Sequence, residues 1–192
     1  KRSGFRRQQR KQRQKLCENV ELALELDTPQ LYEAWLREPM ETFAEKYWKK
    51  WGLQEHPIAK KPVERVYIGN TFCPHLFPEN DILHAMLEKA KIEGISVTLT
   101  FSWIKESQID SIRELLKFLE QRKEYMPNEI AVNDWGTAHL IRKWKQETQN
   151  CVKLNLGILL NRYKKDNRSR YLKEETKCFQ ETNLNSEFIS NI

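Results

Sequence analysis

An α/β fold built on a parallel sheet follows from three observations. Short β-branched and aromatic runs alternate with stretches of helical period, and turn residues stand at the joints. The runs also begin roughly 25 to 35 residues apart, the length that a strand and its returning helix consume. Such alternation implies parallel strands joined by right-handed crossovers. The clearest unit is Glu129–Arg162, where a short apolar run, a polar turn, a helix-period stretch and a second apolar run follow one another.

Taken in order, Leu16 to Leu26 reads as a helix, with Leu16, Val20, Ala23 and Leu24 on one face. Asp27-Thr28-Pro29 closes that element and opens another, Thr28 as N-cap and Pro29 at the first helical position, where a missing N–H costs nothing. The new helix is amphipathic over Leu31–Trp35, and Pro39 bends or restarts it. Phe43, Tyr47, Trp48 and Trp51 continue an aromatic stripe to Gly52, read as core contact in preference to a base-stacking surface. The prolines and charges of Gln54–Pro62 mark a linker, in which His56 is expected to be exposed.

Past the linker the character changes. Arg65–Asn70 is the first predicted strand, Asp81–Ile92 a helix ended by Gly94, and Ser96–Trp103 the second strand. A helix over Ser107–Arg122 turns Ile109, Ile112, Leu115, Leu116 and Leu119 inward. Pro127-Asn128 then leads into a third strand, Glu129–Asn133, a helix from about Thr137 to Thr148, and a fourth strand, Val152–Ile158. Four such units cannot close a (β/α)₈ barrel. The organisation expected is a basic tail at 1–15, a Trp-rich helical segment at 16–55, a (β/α)₄ region at 63–172 and a polar tail at 173–192.

Composition bounds the function. With 192 residues, 39% hydrophobic and 10% aromatic, the chain can build the core of one ordinary domain. No stretch approaches the roughly 20 consecutive apolar residues of a membrane-crossing helix, and no apolar segment would serve as a secretory signal, so a soluble protein without membrane contact is expected. The net charge of +6 is misleading as an average. Residues 1–15 hold eight Lys or Arg and no acid, leaving 25 basic against 27 acidic residues in the remaining 177. Any attraction to RNA or DNA therefore falls to residues 1–15 and not to the body. Cys17, Cys73, Cys151 and Cys178 form no C-x-x-C pair, which fits a reducing, cytoplasmic setting. The chain begins at Lys1 and its earliest methionine is Met40, so it reads as a piece of a longer product.

If the strands are parallel, the segments that follow them share one rim, where such sheets place their ligands. On this rim fall Cys73 and His75, Lys105, Asn133 and Asp134, and Asn161 and Arg162. Cys73 has the chemistry of a thiolate ligand or nucleophile, with His75 as a base or second ligand. Asp134 is charge-matched to Arg162 and would hold substrate or pair with it; alternatively it caps the next helix. Cys151 precedes a strand, so it belongs to the opposite rim and is read as a small buried apolar residue. No nucleotide fingerprint, P-loop or H-E-x-x-H occurs.

The pieces RVYIGNTFC (65–73), EIAVNDWGTAHLI (129–141) and LNLGILLNRYKKDNR (154–168), in that order, resemble the N-terminal half of the peptidase U-32 family, the collagenase-like proteins. The resemblance covers about residues 63–172. It implies parallel (β/α) units forming the first half of a TIM-like barrel, preceded here by the helical segment. It implies a peptidase, or an oxygen-independent hydroxylation factor for ubiquinone or RNA bases, with Asn133, Asp134, Asn161 and Arg162 as catalytic candidates. In the hydroxylation proteins four cysteines hold a 4Fe-4S cluster, and Cys73 aligns with the first of them, which makes it the cofactor and metal candidate. The other three would come from a second half-barrel or a partner subunit. Against this stand a noncatalytic nucleic-acid-binding or protein-interaction module using residues 1–15, and an inactive remnant that needs another chain to cover its sheet edge.

Overall fold

The computed structural model describes residues 20–160. Five strands, β1 (Ala23–Leu26), β2 (Arg65–Ile68), β3 (Ser96–Phe101), β4 (Glu129–Val132) and β5 (Lys153–Leu156), form one sheet in the order β1-β2-β3-β4-β5. Every neighbouring pair is parallel. The crossovers carry α1 (Pro29–Arg37) and α2 (Met40–Lys50), then α3 (Asn80–Glu93), α4 (Ile109–Gln121) and α5 (Trp135–Thr148). Right-handed crossovers between strands laid down in chain order deliver every helix to the same face. This is the arrangement of a partial (β/α) barrel, as the alternation in the sequence predicts.

The first strand is a correction. The segment 16–55 is not wholly helical, because Ala23–Leu26 pairs with Arg65–Ile68 as the edge of the sheet. Leu and Glu are good helix formers, and their propensity favours helix over Leu16–Leu26. The stretch nevertheless alternates: Leu22, Leu24 and Leu26 are buried while Glu21 and Glu25 are exposed, the period of a strand with one face in a core. α1 and α2 are accordingly the crossover from β1 to β2 and no separate unit. The repeat that was expected to begin at 63 begins one strand earlier.

One in-register row holds the helical layer. Leu26, Ile68, Leu99, Ile130 and Leu154 are neighbours across the five strands. The first four are completely buried, each contributing about 1.5–3 kcal/mol by leaving water. Against this face pack Tyr32 and Trp35 of α1, Leu83 and Met86 of α3, Leu116 and Leu119 of α4, and Ile141 and Trp144 of α5, all in one core cluster. The aromatic stripe divides: Phe43 and Trp48 are core, whereas Trp51 is 61% exposed. Thr28 begins α1 with Pro29 at its first position, as expected, although it is the Thr28 carbonyl that accepts from Leu31 and Tyr32 and not its hydroxyl.

The other face of the sheet is polar. Glu25, Tyr67, Thr98, Glu129 and Lys153 lie side by side in the next row. Glu129 is its hub, accepting from Thr98 Oγ1 at 3.3 Å and Asn155 Nδ2 at 2.9 Å, with Arg65 Nη1 at 3.5 Å and Lys153 Nζ at 3.7 Å. Arg65 reaches on to Glu21 at 3.0 Å and Thr98 at 3.1 Å. Glu129→Ala leaves a largely buried guanidinium with Glu21 as its remaining carboxylate partner and removes the acceptor of Thr98 and Asn155, so urea denaturation should show a loss of about 2 kcal/mol. Arg37→Ala, which removes only an exposed pair to Glu33 on α1, should cost under about 0.5 kcal/mol. Equal losses would rule out the hub.

Candidate functional site

The carboxyl ends of β1 to β4 open on a common rim, and two asparagines build it. Asn70, just past β2, donates Nδ2 to the Asp27 carbonyl at the end of β1 and accepts the Phe72 and Cys73 N–H groups on Oδ1, both at 2.8 Å. Asn133, just past β4, does the equivalent two crossovers later. Its Nδ2 donates to the Phe101 carbonyl at the end of β3 at 2.8 Å, and its Oδ1 accepts from Leu159 N–H at 3.1 Å. Each side chain thus ties the end of one strand to the loop after its own or after a neighbour. Asn133 is 4% exposed and its amide is committed to backbone. It is a positioning residue, not a group free to meet substrate.

Asp134 takes the capping role. Its Oδ1 accepts from Thr137 N–H at 2.8 Å and its Oδ2 from the Thr137 hydroxyl at 2.6 Å, at the start of α5. Asn161 and Arg162, and with them the expected Asp134–Arg162 pairing, lie outside the described residues.

Cys73 remains available. It is a free thiol of intermediate exposure preceding the short 3₁₀ turn Pro74–Leu76, with its backbone pinned by Asn70. His75 follows in that turn and is exposed. Cys151, expected to be buried, is exposed instead, because it sits in the loop between α5 and β5 at the amino rim with no layer of described residues over it. An iron–sulfur cluster needs about four thiolates converging on one point. Among the described residues the carboxyl rim offers Cys73 alone, and no group of three or more His, Cys, Asp or Glu is placed to hold a metal. These residues do not fit a cluster held by this part of the chain.

Three exposed rings share the rim: Phe72 after β2 at 65%, Trp103 after β3 at 44% and Trp135 after β4 at 42%. Lys105 Nζ lies 5.6 Å from the Trp103 ring centroid. Beside them a groove of about 360 Å³ runs between the α3 and α4 N-termini, walled by Pro74, Phe77, Phe101 and Ile104, with Ser102 and Gln108 as polar points. Phe77 and Phe101 stack in it at 4.9 Å. Gly69 makes the turn beneath possible. Its φ is +113°, and a Cβ there would sit 2.2 Å from the Thr100 carbonyl oxygen.

Two sets of residues escape the sequence reading. Asn70 is one, though its place after β2 matches that of Asn133 after β4. The other is Glu25 and Asp27, which join the sheet's polar face only once β1 is recognised as a strand. Partial desolvation against the sheet first and the Asp27 charge second raise the Glu25 carboxyl above its usual range, exposed though the residue is, and burial first with Asp27 second raises the Tyr32 phenol.

If capping is the work of Asp134, Asp134→Asn should unfold within about 0.5 kcal/mol of the parent, because Asn caps as well, while Asp134→Ala should lose about 1 kcal/mol. Equal stability of all three in thermal or urea melts would contradict the assignment. No family model, curated protein or solved structure matches this chain.

Proposed function

We propose that this chain is a U-32-like protein whose carboxyl rim receives a substrate carrying a planar ring. The observation that supports it is the set of exposed rings Phe72, Trp103 and Trp135 on three successive loops, beside a groove of about 360 Å³. Large exposed apolar side chains gathered in one place mark interaction surfaces. An aromatic face stacked on a ring contributes about 1–3 kcal/mol. Cys73, one residue from Phe72, is the reactive group that the rim leaves uncommitted, whereas both Asp134 oxygens are engaged by Thr137 and the Asn133 amide by backbone. That balance favours ring modification over peptide hydrolysis. A second half-barrel or partner subunit would supply the remaining thiolates.

A nucleoside or naphthoquinone titrated into the full chain should quench tryptophan fluorescence saturably, and the double variant Trp103→Ala/Trp135→Ala should bind it at least tenfold more weakly. Undiminished binding would exclude the rim. Anaerobic production with iron and sulfide, in the presence of the completing partner, should give visible absorption that Cys73→Ser removes. Cleavage of gelatin lost in Cys73→Ser would favour the peptidase reading instead.

A second reading rests on the charge of residues 1–15, eight Lys or Arg without an acid. Such a segment releases counterions from phosphate, so its binding is steeply salt-dependent. Deleting it should abolish RNA binding or flatten the slope of affinity against salt; an unchanged slope would remove this reading.

A further inference from the structure

The two edges of the sheet are covered unequally. A right-handed crossover lays each helix over the strand it follows and the strand it leads to. β1 is an edge, yet Leu24 and Leu26 are buried, because α1 and α2 follow it. β5 is the other edge, and among the described residues only α5, which precedes it, lies over it. Burial fails there along the apolar rows. Phe101, Val132 and Leu156 are in-register neighbours, and the first two are buried whereas Leu156 is 37% exposed. Leu154, last in the row from Leu26, is only partly buried, and Ile158 just past β5 is 66% exposed.

Leu154 and Leu156 share the helical face by strand alternation. Beside them α5 has a free side. His139, Leu140, Lys143 and Glu147 line the groove that it shares with α4, and half a turn away stand Ala138, Arg142 and Lys145. The strip between β5 and this side of α5 is where the next helix of the repeat would lie.

The chain continues from that place. Gly157 N–H donates to the Val132 carbonyl at 2.7 Å, Leu159 N–H donates to Asn133 Oδ1 at 3.1 Å, and Leu160 is buried in the core cluster. Residue 160 is thus fixed at the carboxyl rim, where every earlier crossover starts. A further 32 residues follow, 161–192. Since α3, α4 and α5 have 14, 13 and 14 residues, a connection and a helix of that length both fit. In this sequence Tyr171, Leu172, Cys178 and Phe179 recur at helical spacing, while Arg170, Lys173 and Lys177 fall on the opposite side. Glu175 falls within the apolar stripe and is opposite in charge to Lys145 on the free side of α5.

We infer that residues 169–182 of this chain occupy the strip as a helix, with Tyr171, Leu172 and Phe179 against Leu154, Leu156 and Ile158 and with Glu175 toward Lys145. A second copy is a poorer occupant, because it would have to displace a segment that starts beside the strip. The ladder edge of β5 stays open, so a completing chain would add its strands there and need not cover Leu156 and Ile158. The proposal is independent of the ring-binding rim, since it uses none of the loop aromatics.

The test is paramagnetic broadening in the full chain. A nitroxide is attached through Lys177→Cys, on the side away from the apolar stripe, after Cys17, Cys73, Cys151 and Cys178 are each replaced by Ser. The amide signals of Lys145, Leu154 and Leu156 should lose at least twofold in intensity, and those of Leu24 and Leu26 on the far edge should not. Leu172→Asp/Phe179→Asp should restore the lost signals. So should Leu156→Asp/Ile158→Asp, which changes two exposed positions and serves should the first pair fail to fold. Full intensity at β5 in the nitroxide-bearing chain, or broadening that survives these substitutions, would overturn the proposal. Equal broadening from a nitroxide carried on a separate, isotopically unlabelled copy mixed into the sample would overturn it too, by making a second copy the occupant.

Discussion

The constraint on which the rest depends is that five strands are laid down in chain order, all parallel and in register. With the handedness of the crossovers given, every helix is sent to one face. The row from Leu26 to Leu154 must therefore be apolar on that face and nowhere else. The opposite face is thereby free to be polar, and it is: a Glu129-centred network occupies its amino half, and the Thr100 hydroxyl, without a partner among the described residues, lies toward its carboxyl half. A parallel sheet usually reads as near-continuous apolar runs because both faces are covered. β3 shows how the compromise is made, since SVTLTF alternates aliphatic or aromatic residues with hydroxyl residues, of which Thr98 is buried yet hydrogen-bonds with Arg65 and Glu129.

Asparagine recurs where strands end. Asn70 and Asn133 reach back to the carbonyl at the end of the preceding strand and hold the loop that follows, and Asn128 does the related work at the amino rim by accepting Val97 N–H at 2.8 Å. The amide suits the task because it carries a donor and an acceptor on one short planar group and can satisfy two backbone atoms at once. Buried backbone groups at strand ends would otherwise go unpaired. Packing enforces the geometry as well: a Cβ on Gly157 would meet Asn133 Oδ1 at 2.2 Å.

These commitments divide the polar residues of the rim into two kinds. Asn133 and Asp134 look like chemistry in the sequence, yet each already makes two hydrogen bonds, Asn133 with backbone and Asp134 with Thr137. Cys73, Ser102 and the three exposed rings are left facing outward or into the groove. The parts of the rim that hold it together and the parts that can meet a ligand are thus distinct, although they alternate along the same loops.

By itself the sequence determined the alternation of strands and helices, the four strands from Arg65 onward, the direction they share and the rim on which Cys73 and Asp134 fall. Those follow from local period, turn residues and spacing, which act over a few residues and need no partner. The tertiary structure decided three things. Ala23–Leu26 is a strand because β2 offers it a ladder and the core accepts Leu24 and Leu26, outweighing the helical propensity of Leu and Glu. The rim asparagine and Asp134 serve structure because their partners, Phe101, Leu159 and Thr137, arrive from other elements or from the next turn. Glu129 gathers Arg65, Thr98, Asn155 and Lys153 because register, which no single strand encodes, sets which residues stand side by side.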